Sequence, residues 1–292
     1  MAPKTGPPPT DGRVAAVDRT QIGLDDVAMK VTEEQLQTLC AIAETAGREI
    51  MEVYAGELSA WEKADASPLT EADLRADKVI RAGLETAFPG VFILSEESSS
   101  GELAPTETFF LVDPLDGTKE FLKRNDEFTV NIALIHQDRA VASVVLAPAL
   151  GECFYAATDL GARKRSASGT TELRVARYDA GTPLRIIGSR SHGGEKLGAW
   201  LAGLPVEHSF LAAGSSLKFC RIAEGQADLY PRFGPTCQWD TAAAQCVLEV
   251  AGGAVTDLQG QPLRYGLERE MLNPEFMAFG DKDLVSRPGF LS

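Results

Sequence analysis

Asp113-Pro114-Leu115-Asp116-Gly117-Thr118 is the stretch of this chain best equipped for chemistry. Two carboxylates stand three residues apart with a proline between them. That is a poor way to build a core and a good way to hold a divalent cation. The apolar run Phe109 to Val112 precedes it and helix-compatible Lys119 to Arg124 follows, so a strand end, a tight turn and a helix start are expected. Acids also stand beside other predicted elements: Glu96-Glu97 after Val91 to Leu94, Asp240 behind Trp239, and Asp73 in Pro68 to Asp73. Singly, each has an ordinary explanation. Asp240 would cap a helix, Glu96-Glu97 would be a solvated loop, and Asp73 would favour a helix's first turn. Asp113 and Asp116 would make turn hydrogen bonds.

Together they point elsewhere. Glu96, Asp113, Asp116 and Asp240 supply four negative charges, a match for two divalent ions. Converging carboxylates repel, and burying them is costly unless cations neutralise them. The Leu115 carbonyl inside the turn adds a neutral oxygen. An all-oxygen set with open positions suits Mg²⁺, which binds through carboxylates plus substrate phosphate. Gly117 and Thr118 would then open a helix whose unpaired N–H groups favour phosphate. Gly117 lets the backbone come close, and the Thr118 hydroxyl is placed to orient a water. Their ordinary reading is a turn and an N-cap.

Bulk properties narrow the partners. The 292 residues suffice for one large domain or two modest ones, and 44% of them are hydrophobic, as in globular proteins. A net charge of −14 argues against a nucleic-acid binder, whose affinity rests on a basic face. Five scattered cysteines without a C-x-x-C pair argue against a zinc site or a disulfide framework. Three histidines are too few for a His-rich metal site. No apolar run has the length of a membrane span, and no basic segment followed by an apolar one marks a secretory signal. A cytoplasmic protein is expected.

The elements that must position these residues follow from periodicity. Residues 1–28 read as a disordered or loosely attached tail. Thr32 caps a helix through Val53 with Gln35 as its capping-box partner, and a second helix runs from Thr70 to about Phe88. Val91 to Leu94 and Phe109 to Val112 read as buried strands; Thr129 to Ile135, Ala140 to Ala147 and Glu152 to Ala157 read as successive antiparallel ones. Gly161 to Thr171 reads as a loop and a boundary. Beyond it, strands at 184–188, 227–231 and 276–279 alternate with helices at 193–202, 214–225 and 241–251.

At these residues the chain resembles the inositol monophosphatase-like superfamily of metal-dependent, lithium-sensitive phosphatases. An acidic pair, a D-P-[IL]-D-[GS]-T box and a W-D-x-[AS]-[AG] box occur in order as Glu96-Glu97, Asp113 to Thr118 and Trp239 to Ala243. The ordered set is far more specific than any one box. Lys119 to Phe121, Phe128 to Ile135, Ser189 to His192, Gly214 to Cys220 and Ala223 to Thr236 resemble the bacterial 3′(2′),5′-bisphosphate nucleotidase branch.

The resemblance implies an α/β fold, a layered αβαβα sandwich with an α+β N-terminal half and an α/β C-terminal half. Residues 29–165 would bind metal and phosphate, 166–292 would recognise the nucleotide, and the tail lies outside the pattern. Two or three Mg²⁺ ions are implied. Glu96, Asp113 and the Leu115 carbonyl would hold one; Asp113, Asp116 and Asp240 would hold a second. Asp73 and Thr118 would orient the attacking water, with Glu96 counted among the catalytic residues. Asp116, Gly117, Thr118 and Asp240 would meet substrate from the metal side; His192, Ser215, Lys218 and Arg232 would do so from the other. The ordinary reading of Lys218 and Arg232 is surface charge, and of His192 a loop histidine.

The implied reaction removes the 3′-phosphate of adenosine 3′,5′-bisphosphate, or of 3′-phosphoadenylyl sulfate, clearing a by-product of sulfate assimilation. The partner is thus a small phosphorylated nucleotide, and the family allows peripheral contact with the inner membrane from the cytoplasmic side. Two alternatives stay open: an inositol or sugar monophosphatase with the same metal chemistry, and a non-catalytic metal- or nucleotide-binding regulator.

Overall fold

The computed structural model describes residues 29–56, 60–62, 68–98, 106–189 and 194–291. The expected tail, 1–28, and His192 lie outside the described residues. In chain order the elements are α1 (Glu33–Ala55), β1 (Ala60–Glu62), β2 (Pro68–Thr70), α2 (Glu71–Ala87), β3 (Phe92–Ser95) and β4 (Thr108–Asp116). Then come α3 (Thr118–Leu122), β5 (Thr129–His136), β6 (Arg139–Ala147), β7 (Glu152–Ala157), β8 (Gly161–Ser166) and β9 (Gly169–Glu172). The remainder is β10 (Leu184–Ser189), α4 (Glu195–Gly203), β11 (His208–Ala213), α5 (Leu217–Ala223), β12 (Leu229–Arg232), α6 (Gln238–Val250), β13 (Ala254–Asp257) and β14 (Phe276–Phe279), followed by a 3₁₀ turn, Lys282–Ser286.

Strands β3 to β9 form one sheet in sequential order, parallel only between β3 and β4. A second sheet runs β11-β10-β12-β14-β13, parallel where β10 meets β11 and β12 and antiparallel elsewhere. The apolar stripe of α1 (Leu36, Leu39, Ala43, Ala46, Ile50) and that of α2 (Ala76, Ile80, Leu84) bury against Phe110, Val112, Val130 and Ile132 of the first sheet. Thr32 caps α1 through the expected box: its Oγ1 accepts from Gln35 N at 3.1 Å, and Gln35 Oε1 accepts from Thr32 N at 2.9 Å.

Helix α6 is buried on every side from Thr241 to Leu248, the pattern of a helix enclosed within a core. Its small Ala242, Ala243 and Ala244 let it lie with α5 between the two sheets, against Leu111, Ala133 and Val145 of one and Tyr230, Phe276 and Ala278 of the other. Leu197 and Trp200 of α4, with Leu284 and Phe290, cover the far face of the second sheet. The layers are therefore αβαβα, as the resemblance implied.

Several local expectations are corrected. Gly161 to Thr171 is not a loop but the β8–β9 hairpin at the edge of the first sheet. That sheet continues past the expected division at 165/166, to Glu172. Asp113 to Asp116 is not a tight turn. Strand β4 runs through it, with a register shift against β5 between Asp113 and Asp116. Pro114, which has no N–H to donate, sits inside that irregularity. The helix expected at 214–225 is α5, which starts only at Leu217, and strand β11 precedes it.

Candidate active site

Strand β4 ends at the mouth of the cleft, and the bulge decides where its acids go. Asp113 still pairs with Asn131 and Asp116 with Thr129 across the ladder to β5. The displaced Leu115 donates its N–H to Asp113 Oδ1 at 3.0 Å. Gly117 then takes φ +89 and caps α3. A Cβ there would lie 3.2 Å from both the Glu127 carbonyl oxygen and Ser215 Cβ, so the position requires glycine sterically as well as conformationally. Helix α3 is a single short turn, so it offers unpaired N–H groups more than an extended dipole.

Glu96 arrives from β3. Its N–H donates to Val112 O at 3.1 Å, which fixes it beside Asp113. The turn that carries it is pinned from α2: Asp77 Oδ1 accepts from Ser95 Oγ at 2.5 Å and from Ser98 Oγ at 3.2 Å. Asp240 arrives from α6. That helix begins at Gln238, earlier than expected, so Asp240 caps from inside the first turn and accepts from Cys237 N at 2.8 Å. The ordinary capping role and the chemical one coexist, since a carboxylate has several acceptor positions.

Carboxylate oxygens of Glu96, Asp113 and Asp240 lie within 4.8 Å of one another. Asp116 stands beside that triple, with the backbone N–H of Ser216 favouring its charged form. Burial first, then repulsion from Glu96, Asp116, Asp240 and Asp73, pushes Asp113 well above the usual carboxylate range. Burial and the charge of Asp116 push Asp240 up to about 8. Burial raises Asp116 to about 6, opposed by the Lys218 ammonium and the Ser216 N–H. Such a cluster fits a hard divalent cation: oxygen donors only, mutually repelling, and half-buried around a fully buried Asp113.

Asp73 lies at the third position of α2. Its Oδ2 accepts from Thr70 N at 2.8 Å and from Thr70 Oγ1 at 2.5 Å. Its Oδ1 accepts from Thr118 Oγ1 at 3.4 Å, and the same hydroxyl lies 3.4 Å from the Leu115 carbonyl. The expected Asp73–Thr118 pair is thus assembled across more than forty residues of chain.

The opposite wall comes from the second half. Ser215, Lys218 and Arg232 line the same cleft of about 260 Å³ as Glu96, Asp116, Thr118 and Asp240. Lys218 is buried; its ammonium donates to the Ser215 carbonyl and lies 5.3 Å from the centre of the Tyr230 ring. Burial, with a contribution from Arg232, lowers it to about 8 against the opposing pull of Asp116. Arg232 is held by the Gly234 and Pro235 carbonyls at 3.2 and 2.8 Å.

A model of the inositol monophosphatase family matches residues 32–280. The chain belongs to that family. The 3′(2′),5′-bisphosphate nucleotidase CysQ of Escherichia coli (strain K12) is 48% identical over 245 residues, covering 82% of this chain and 98% of that one. The Haemophilus influenzae protein of the same name is 35% identical over 267 residues, with 90% and 98% covered. Among solved structures, CysQ from Bacteroides thetaiotaomicron superposes with a TM-score of 0.74 at 35% identity, over 85% of this chain and 97% of that one.

Within this family framework, residues passed over in the sequence also line the cleft: Ser189, Tyr230 and Thr236. Ser189 opens a stretch already singled out, and Tyr230 and Thr236 lie inside another, so a finer reading of those stretches would have found them. Thr129 and Asn131, behind the acids, carried a weaker signal: polar positions in an otherwise apolar segment.

Proposed function

We propose that this protein is a divalent-metal-dependent phosphatase that removes the 3′-phosphate of adenosine 3′,5′-bisphosphate, yielding AMP and phosphate. The observation that carries the reading is the single cleft shared by two unlike walls, carboxylates on one side and Lys218 with Arg232 on the other. Relatives bearing the name 3′(2′),5′-bisphosphate nucleotidase align along nearly their whole length, and sulfate assimilation is the metabolic setting proposed. Arg232 disfavours the charge on Lys218, which an anion between them would relieve. A retained 5′-phosphate is such an anion, and Arg232 suits it by its planar fork of donors.

Mg²⁺ is the cation proposed, held by Glu96, Asp113, Asp116, Asp240 and the Leu115 carbonyl. When bound, it lowers the pKa of a water and neutralises charge on the leaving oxygen. The chain's own residues do the rest. Thr118 Oγ1 donates to Asp73 Oδ1, so its lone pairs accept from an incoming water. Thr70 holds Asp73 in place for that pairing. Gly117 brings bare backbone to the phosphate, and Lys218 with Arg232 sets which ester faces the acids. Ser215 and Asp240 complete the substrate contacts proposed here.

The test is phosphate release from adenosine 3′,5′-bisphosphate and from inositol 1-phosphate, with Mg²⁺ and after chelation. Turnover of the bisphosphate that needs Mg²⁺ and is lost in Asp113→Asn is the expected result. Undiminished activity after chelation, or preference for the inositol ester, overturns the reading. Among the described residues no helix is long and apolar enough to cross a membrane.

A further inference from the structure

The apolar strand β5 carries polar residues at two alternate positions that face the helix layer between the sheets. Thr129, Asn131, Ala133 and Ile135 share that face, and Ala133 and Ile135 lie in the core against α5 and α6. Thr129 and Asn131 are instead the ladder partners of Asp116 and Asp113. Directly opposed residues on neighbouring strands have Cβ atoms only about 5 Å apart. Each of these two acids therefore has a buried polar neighbour behind it.

Those neighbours are wired to the opposite wall of the cleft. Ser216 Oγ donates to Asn131 Oδ1 at 2.8 Å, and Thr129 Oγ1 lies 2.8 Å from Ser216 Oγ. A hydroxyl has one proton. Since Ser216 spends its proton on Asn131, Thr129 must donate to Ser216. The direction runs Thr129 to Ser216 to Asn131, among side chains at most 2% exposed. Ser216 also stands at the N-cap of α5, the helix of Lys218, and its backbone N–H favours the charged form of Asp116. Ser215, just before it, is held at φ +46, a costly conformation for a non-glycine residue. At the far end of the relay the Asn131 amide nitrogen is buried without a hydrogen-bond partner among the described residues. The acid in register with it is Asp113.

We propose that Asn131 and Ser216 are positioning residues for the metal-ligating carboxylates. Through Thr129, bonded to Ser216, the relay backs Asp116 across the ladder, and Asn131 keeps an amide donor in register with Asp113. The inference rests on the proposed metal site, but not on the identity of the ester hydrolysed.

The experiment titrates the full-length protein with Mg²⁺ in the absence of substrate, following binding by calorimetry and by thermal shift. Asn131→Ala and Ser216→Ala are each expected to weaken Mg²⁺ binding by about tenfold to a hundredfold, the usual effect of removing a group that orients a ligand. The double variant is expected to lose no more than the worse single one, because both act through one relay. In Asn131→Ala, KM for the nucleotide at saturating Mg²⁺ is expected to stay unchanged. Folded variants that bind Mg²⁺ as the wild type does overturn the proposal, as do losses that multiply in the double variant. If Asn131→Ala fails to fold, Thr129→Val, which exchanges a hydroxyl for a methyl, must weaken Mg²⁺ binding in the same direction; unchanged binding there overturns the proposal too. With no substrate present, an inactive bisphosphate assay leaves this result readable, and unchanged Mg²⁺ binding in the variants leaves the nucleotidase reading intact.

Discussion

At the scale of single residues, the proposed mechanism separates water orientation from substrate capture. Asp73→Asn and Thr118→Ala remove only the first, so kcat should fall by about 10²–10⁴, the usual size of a positioned acid–base contribution. The Mg²⁺-induced rise in melting temperature should persist, because neither residue is proposed as a ligand. Lys218 gives the complementary test. Burial holds it at about 8, so it loses its charge as pH rises through that value. Since kcat/KM reports groups of the free enzyme, it should decline above about pH 8, and in Lys218→Met that alkaline limb should vanish from a much lower plateau. A limb that survives in the variant assigns the ionisation to another group. The acids and Lys218 were legible in the sequence because their boxes are contiguous. Asn131, Thr129 and Ser216 were not, since their importance arises from a cross-strand register and a contact between distant segments. Nor does sequence order reveal that Asp240 is both a helix cap and part of the carboxylate triple.

At the scale of elements, α5 must be held still, because it carries Lys218 and is capped by Ser216. One device is a ring of four charges. Lys164 of β8 bonds Glu152 of β7 at 2.5 Å and Glu224 at 2.6 Å; Arg221 of α5 bonds the same two acids at 2.7 and 2.6 Å. These side chains are only 10–18% exposed, so solvent screens them little. Removing one partner of such a set leaves a charge stranded, at a cost of about 3–5 kcal/mol for a fully buried pair. Arg221→Met should lie at the lower end, about 3 kcal/mol, read from the urea midpoint with an unchanged m-value. A midpoint equal to wild type would reduce the ring to ordinary surface charge. Element boundaries were legible where burial imposed a period: Glu152 to Ala157 and Phe276 to Phe279 were read to the residue. Strand β11 was not, because an edge strand exposed along most of its length shows no apolar alternation. The β8–β9 hairpin, rich in charge and hydroxyls at the rim of its sheet, resembled a loop for the same reason.

At the scale of the whole molecule, two sheets enclose a shared helix layer and bring acids from three separate segments together, and that convergence has a thermodynamic signature. Asp116 and Asp240 are raised to about 6 and about 8. Without metal the folded state therefore holds protons that the unfolded chain has already released, since a free Asp titrates near 3.9. Stability falls with pH wherever the native state binds more protons. The contribution of these groups is complete below the ordinary Asp value and is lost as pH rises through about 6 and then about 8. The melting temperature of metal-free protein should accordingly drop between those two pH values. Mg²⁺ competes with the same protons, so its binding should release them and strengthen over that interval, and the added metal should raise the melting temperature more at the upper value than at the lower. Calorimetry of Mg²⁺ binding near pH 7, in buffers of different ionisation enthalpy, counts the protons directly. Binding without proton release would mean that the carboxylates are already ionised in the metal-free protein and that some other positive charge neutralises them.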